Sequence, residues 1–473
     1  MNQDFTVCLV SLGCEKNTCD SEKMLHILAE RGYRLTDDPE EADAAVVNTC
    51  CFIQSATEES LDTLFELASL KQGRLQFLVA AGCMAERFKN EIMSDLPEVD
   101  AFIGTASLSA IADVLDRLRG ETETSEPEPR AETEESESTN KDRSNGKVTV
   151  YHELDHLAQD LGNVKRAVSQ RPYTAYLKIA DGCDKRCTYC AIPLFKGSFH
   201  SVPMENLLQE AKELVQNGAR ELILVAQETS GYGKDLYGEK SLHILLKKLA
   251  EISDLHWIRL LYVYPEELYP ELIREMAENP KVLHYLDLPL QHTESDILRR
   301  MGRRVTKEDV YRIINNLRKA MPDITLRTTL ITGFPGETEE EYAALLETLR
   351  ELSFDHLGVF AYSQEEGTAA AGFPDQIPEE IKEERKEAIM LLQQEIAQKN
   401  KEKLIGEEME ILIEGYLPDE GVYVGRTQKD APDVDGLVFL TCNHDLISGS
   451  FVRGRVTDAS CYDLYAEIVE ELE

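Results

Sequence analysis

The stretch TAYLKIADGCDKRCTYCAIP, residues 174–193, runs from an apolar segment straight into a loop that carries Cys183, Cys187 and Cys190. A strand that opens into such a loop puts three thiols at its C-terminal end, where (β/α) barrels keep their reactive groups. Three thiolates on one CxxxCxxC loop can hold three irons of a four-iron cluster and leave the fourth iron open to an outside ligand. The competing reading is a structural zinc site, which calls for a fourth Cys or His at short spacing; His200 alone follows closely.

Downstream of this stretch, ELILVA, WIRLLYV, YLDLPL, TLRTTLITGF and HLGVFAYS repeat the pattern, each followed by a helix-period segment. Six βα units predict a barrel of the TIM type, complete or partial. PEEIKEERKEAIMLLQQEIAQKNKEK, residues 378–403, predicts a long charged connecting helix. The runs EEMEILIEGYL, GVYVGRT, GLVFLT and GSFVRGRVTDASCYDLYAEIVEE predict a small antiparallel β-barrel.

Upstream, TVCLVSLG, AAVVNTC, LQFLVAAG and AFIGT alternate with helical segments, which predicts an open parallel α/β sheet. Residues 121–145, rich in Glu, Ser, Thr and Pro and without large apolar side chains, read as a disordered acidic spacer. The expected division is an α/β domain over 1–120, the spacer over 121–145, the barrel over 170–400 and the small β-barrel over 401–473.

Cys14, Cys50 and Cys83 are far apart in sequence, yet each ends a strand of the first sheet, with Gly before Cys14 and Cys83. Ligand sites of open α/β sheets form at that edge, so the three thiols are candidates for a second three-cysteine cluster. Any one of them alone reads as a core residue. Cys19 and Cys51 lie beside this set but outside it, and Cys8, Cys442 and Cys461 sit in strand patterns that predict the core.

The 473 residues carry 42% hydrophobic and 29% charged side chains, the composition of a globular protein. No uncharged apolar run approaches the roughly 18 residues that would span a bilayer, and MNQDFTVCLV lacks the basic start of a secretory signal. A cytoplasmic protein is expected, in which eleven cysteines serve ligation, catalysis or burial rather than disulfides. With 50 basic against 88 acidic residues the net charge is −38, which repels phosphate backbones and favours a basic partner. Residues 400–473 hold 17 acidic and 6 basic residues, whereas an RNA-binding barrel needs a basic face. Arg299, Arg300, Arg303 and Arg304 form a local basic cluster, expected to pair with acidic neighbours on its own helix rather than with phosphate.

The segments SLGCEKNTCDSE, VVNTCCFI and AAGCMAER, followed by the three-cysteine loop and the terminal β-barrel, resemble the radical S-adenosylmethionine methylthiotransferase family over nearly the whole chain. LLYVYP, YLDLPLQH, RMGRR and ITGFPGETEEE are most similar to the branch that modifies small-subunit ribosomal protein S-twelve. The acidic stretch and KGSFHSVP at 196–203 depart from the family pattern.

The resemblance implies two 4Fe-4S clusters, one on Cys183, Cys187 and Cys190 that cleaves S-adenosyl-L-methionine and an auxiliary one on Cys14, Cys50 and Cys83. It also implies a C-terminal TRAM domain and transfer of a methylthio group to the β-carbon of an aspartate of protein S-twelve. Such a carbon acid lies beyond any side-chain base, so the cofactor must supply the reactivity. Gln227, in the turn to Thr229, and Gly333, Gly336 and Glu337, in GFPGE, lie at barrel strand ends and are candidate cofactor contacts; a plain loop role is the alternative. Two other functions remain open at this level: a tRNA adenosine methylthiotransferase, and a non-enzymatic iron–sulfur carrier. A monomer is expected.

Overall fold

Short runs of small and β-branched residues build the first sheet of the computed structural model, which describes residues 4–120, 147–154, 162, 164–167, 171–442 and 444–472. The acidic spacer expected at 121–145 lies outside the described residues. The strands are β1 (Thr6–Ser11), β2 (Arg34–Thr36), β3 (Ala44–Thr49), β4 (Phe77–Gly82), β5 (Ala101–Ile103) and β6 (Val148–Val150), all parallel, in the order β2-β1-β3-β4-β5-β6. Period-two alternation gives each strand two apolar faces. Cys8, Ala45, Val47, Leu78, Ala80 and Phe102 pack on one side, while Val7, Val46, Val79, Ala81 and Ile103 pack on the other. Helices α1 (Glu15–Glu30), α2 (Gln54–Ser69), α3 (Cys83–Asp95) and α4 (Ile111–Leu118) alternate with these strands.

Two short strands without an apolar run around them escape the sequence reading: β2, and β6, which follows the acidic stretch and pairs with β5. The acidic stretch therefore interrupts the first sheet rather than following it. The order reverses between β1 and β3, the switch point at which open α/β sheets bind ligands.

The second sheet holds β7 (Thr174–Lys178), β10 (Glu221–Val225), β11 (Trp257–Leu260), β12 (Val282–Asp287), β13 (Thr325–Thr332) and β14 (His356–Ala361). They run parallel in chain order, and the sheet stays open between β7 and β14, so the barrel is a partial one. A separate two-stranded ladder, β8 (Ala180–Asp181) with β9 (His200–Ser201), flanks the three-cysteine loop in sequence. The charged helix expected at 378–403 is observed at Glu379–Glu402.

The C-terminal strands β15 (Glu408–Leu417), β16 (Val422–Thr427), β17 (Val438–Thr441), β18 (Phe451–Ala459) and β19 (Leu464–Leu472) close into a barrel around Ile411, Ile413, Val438, Leu440, Val452 and Leu464. The barrel is mixed where an antiparallel one was expected. β19 folds back from β18 and closes on β17 in parallel, a pairing that local alternation does not encode. Cys8 lies in the core as expected, but Cys442 and Cys461 are half-buried just outside strands.

By its contacts the chain forms two units, Met1–Ser169 with Ala180–Lys185 and Cys190–Asn206, and Gln170–Ile179 with Arg186–Tyr189 and Leu207–Glu473. In the second unit a buried ionic layer joins the sheet to the closed barrel. Glu221, the first residue of β10, accepts from Arg259 at 2.8 Å and from Arg426 of β16 at 2.7 Å, and Arg426 also reaches Glu414 at 2.8 Å. Arg426 further contacts Thr174 at the start of β7, so the β-barrel meets the N-terminal ends of these strands and leaves their C-terminal ends to the loops. No helix among the described residues is long and apolar enough to cross a membrane.

Candidate functional site

Three of the six candidate ligands mark the switch point of the first sheet. Cys14 caps α1 just after β1, Cys50 directly follows β3, and Cys83 opens α3 directly after β4. Because β1, β3 and β4 are neighbours, their ends bring these thiols to one edge. Gly13, at φ +87°, makes the approach possible: a Cβ there would stand 2.7 Å from Cys50 Cβ and 2.8 Å from its Sγ.

Asn17 ties the edge together. Its Nδ2 donates to Leu12 O at 2.9 Å and to Thr49 O at 3.2 Å, and its Oδ1 lies 3.8 Å from Cys83 Sγ. Asn48 answers from β3 by donating to Asn17 O at 3.0 Å and to Ser21 Oγ at 2.9 Å. Ser60 of α2 accepts from Cys50 N at 3.0 Å and donates to Cys50 O at 2.9 Å, which fixes the backbone of the second ligand candidate.

All eleven cysteines are free thiols. Burial raises the pKa of Cys50, with a further push from Cys14, and burial lifts Cys83 well above the thiol range against the pull of the Lys196 ammonium. Thiols in such a place ionise when a metal takes the proton's position. Among the described residues no three His, Cys, Asp or Glu side chains are gathered as around a single bare ion. A cluster asks for a wider spacing, because each thiolate takes its own iron. The donor set, soft, buried and held by backbone-anchored turns, fits an iron–sulfur cluster.

The CxxxCxxC loop supplies Cys183 and Cys190 to the first unit and Cys187 to the second. In the first unit, Cys183 N donates to Gly197 O at 3.1 Å, and the segment after Cys190 forms the short helix α5 (Ile192–Lys196), whose Phe195 O accepts from Thr105 Oγ1 at 2.7 Å. In the second unit, Cys187 Sγ lies 3.5 Å from Tyr264 Oη, and Thr188 binds Met301 O and Arg300 O through its N and Oγ1 at 2.9 and 2.8 Å. Gly302 leaves room for this loop, since a Cβ there would meet Arg186 O at 2.7 Å. Arg303 is buried with its guanidinium 4.2 Å over the Tyr264 ring and donates to Pro289 O at 3.0 Å. The LLYVYP and RMGRR segments thus cradle Cys187. Of the four arginines in the basic cluster, Arg299 pairs with Asp296 of its own helix as expected, while Arg300 donates to the Gly336 carbonyl and Arg303 reaches Glu266 outside that helix.

Gln227 is half-buried at the C-terminal end of β10, and Thr229 beside it donates through Oγ1 to Leu261 O at 2.9 Å. The GFPGE loop closes on itself and its neighbours. The open sides of Gly333 and Gly336 are filled by Lys382 and by the Arg300 guanidinium. Glu337 accepts from Gly333 N at 2.6 Å, from Arg385 at 2.7 Å and, in a fully buried contact, from His292 Nε2 at 3.1 Å. Burial pushes the Glu337 carboxyl up, but His292 and Arg385 outweigh it and hold its pKa below the ordinary value.

Residues 177–349 match the model of the Radical SAM superfamily, residues 6–104 that of "Uncharacterized protein family UPF0004", and residues 405–469 that of the TRAM domain. The chain is 46% identical over 456 residues to "Ribosomal protein uS12 methylthiotransferase RimO" of Lachnoclostridium phytofermentans, covering 96% of this chain and 98% of that protein. The chain belongs to the RimO family. Proteins of the same name from Acetivibrio thermocellus and Geobacter sulfurreducens are each 44% identical, over 463 and 470 residues, covering 98% and 99% of both partners. Among solved structures, the radical S-adenosylmethionine methyltransferase TsrM of Kitasatospora setae superposes with a TM-score of 0.55 at 13% identity, over 76% of this chain and 72% of that one, a likeness of fold.

In RimO terms, Cys14, Cys50 and Cys83 lie within the first matched segment and Cys183, Cys187 and Cys190 within the radical one. Sequence reasoning did not find Asn17, Tyr264, Arg303 or Lys196 as parts of these sites. The one local signal was polarity in apolar surroundings, as with Asn48 inside VVNTC.

Proposed function

We propose that this chain attaches a methylthio group to the β-carbon of one aspartate of small-subunit ribosomal protein S-twelve, the protein named uS12 in its relatives. The observation that carries the reading is the 46% identity to a uS12 methylthiotransferase across nearly both entire chains. The edge geometry of Cys14, Cys50 and Cys83 supports it independently. Cys183, Cys187 and Cys190 hold one 4Fe-4S cluster and Cys14, Cys50 and Cys83 the other, each with an iron left for a non-protein ligand. When bound, the clusters and S-adenosyl-L-methionine supply the electron, the methyl group and the hydrogen-abstracting power that side chains lack.

The chain's own residues hold and orient. Tyr264, Met301 and Arg300 fix the backbone and thiol of the Cys187 loop, and Asn17 and Ser60 fix the ends of β1 and β3. Gln227 is assigned to cofactor contact through its side chain. The assignment of Gly333, Gly336 and Glu337 narrows to backbone contact, because the Glu337 carboxylate is spent on Arg385, His292 and Gly333. We assign the α/β domain to 1–120 with β6 added, the spacer to 121–145, the radical domain to 170–400 and the TRAM domain to 401–473. The site of action is the cytoplasm, where ribosomal proteins are met, and the working unit is a monomer.

The test is intact and peptide mass spectrometry of protein S-twelve from cells with and without this gene. A methylthio mass on one aspartate that vanishes with the gene is the expected result. Unmodified S-twelve in both overturns the substrate and turns the search to transfer-RNA nucleosides.

A further inference from the structure

Lys196, the last residue of α5, is buried, its side chain only 4% exposed. An ammonium so placed loses several kcal/mol of hydration and persists only among negative partners. Two are carboxylates: Asp181 Oδ2 of β8 at 3.4 Å and Asp20 Oδ2 of α1 at 3.8 Å. The ammonium donates a long hydrogen bond to Asp181 and pairs with Asp20 at a greater distance, both beyond the roughly 2.7–2.9 Å of a tight charge-assisted bond. Cys83 and Cys14 also lie within its electrostatic reach. The helix that carries Lys196 packs against α3, the helix opened by Cys83, and shares with it the core of the first sheet. The amine is thus held among two acids and two candidate cluster ligands, all within the first unit.

We infer that Lys196 is the fixed positive charge of the auxiliary-cluster pocket, a positioning residue that sets the reduction potential of the cluster on Cys14, Cys50 and Cys83. The inference rests on the ligand assignment proposed above. Net charge beside a cluster is one of the levers that place its potential, and low-dielectric surroundings magnify it. Without the ammonium the cluster would lose a fixed positive charge beside it, and adding an electron to it would become harder.

The test uses the full-length chain carrying Cys183→Ala, Cys187→Ala and Cys190→Ala, reconstituted anaerobically so that only the auxiliary cluster reports. Iron per chain and the midpoint potential, followed by electron paramagnetic resonance, are measured for this background and for added Lys196→Met, Lys196→Arg and Asp181→Asn. The expected result is retained iron, a midpoint lowered in Lys196→Met by at least a tenfold change in the one-electron equilibrium constant (about 59 mV), and recovery in Lys196→Arg. Asp181→Asn moves the midpoint the other way. An unmoved midpoint with iron retained overturns the role of Lys196 alone. If Lys196→Met loses its iron, Asp181→Asn decides: an upward shift upholds the inference and none overturns it. No iron in the background protein overturns the ligand assignment and the role of Lys196 with it.

Discussion

A cysteine at a strand end is readable as a ligand candidate because strand alternation and the residue itself are both local, and all three at the first sheet edge were legible that way. Their supports were not. Asn17 reaches Leu12, Thr49 and Cys83 from three different elements, and no spacing in the sequence announces that meeting. The division of labour predicts that Cys14→Ala, Cys50→Ala or Cys83→Ala removes one cluster's worth of iron and leaves reductive cleavage of S-adenosyl-L-methionine. Cys183→Ala, Cys187→Ala or Cys190→Ala should abolish cleavage while the auxiliary iron stays. Iron analysis beside a cleavage assay checks both halves. Glu337 illustrates the opposite case, a residue whose motif suggests a ligand contact while its carboxylate is used internally. Its folded pKa lies below the ordinary 4.5, so its stabilisation is present above that value and is lost as pH falls through the lower folded value. Glu337→Gln leaves the buried Arg385 with only the exposed Glu339 as a charge partner and should cost about 3 kcal/mol at neutral pH. The gap in thermal midpoint between variant and wild type should shrink as the pH drops below 4.5.

Among elements, strands with a clear apolar run were legible, the short Ala101–Ile103 included, and β2 and β6 were not. β2 and β6 take their identity from the neighbours they pair with, Thr6–Cys8 and Ala101–Ile103. The parallel closure of β19 on β17 is likewise decided by where a hairpin can fit, not by its own residues. The turn before α1 is the element on which the auxiliary site depends most. Gly13→Ala would drive a methyl group into Cys50 in a backbone conformation that disfavours it. Reduced auxiliary iron is expected, with normal iron at the CxxxCxxC loop. Asn17→Ala, which leaves the half-buried Leu12 and buried Thr49 carbonyls without this donor, should destabilise the first unit by about 1–3 kcal/mol. Urea unfolding followed by far-ultraviolet circular dichroism measures it, and an unchanged midpoint would remove Asn17 from the edge.

For the whole molecule, charge acts at two ranges. Inside the second unit, Arg426 sits between Glu221 and Glu414 with its guanidinium buried. Arg426→Met leaves Glu414 without this partner and Glu221 with Arg259 alone, and should cost about 3 kcal/mol. The loss belongs to the second unit, so iron on Cys14, Cys50 and Cys83 should persist while the denaturation midpoint falls. Outside, a net charge of −38 and the acidic C-terminal barrel favour a basic protein as partner. Association with protein S-twelve should weaken steeply as salt rises toward 1 M, where the screening length shrinks to about 3 Å. Binding that is indifferent to salt would assign recognition to apolar contacts instead.

The sequence by itself determined the α/β class, the order of its parts, the six candidate ligands and the sign of the molecule's field, since all of these follow from local alternation, residue type and summed charge. The tertiary structure decided which groups surround those ligands. Lys196 meets Asp20, Asp181 and the Cys83 site, and Glu337 meets Arg385 and His292, across separations that no local pattern spans. Their pairing follows from strand order and from the cost of leaving a buried charge alone.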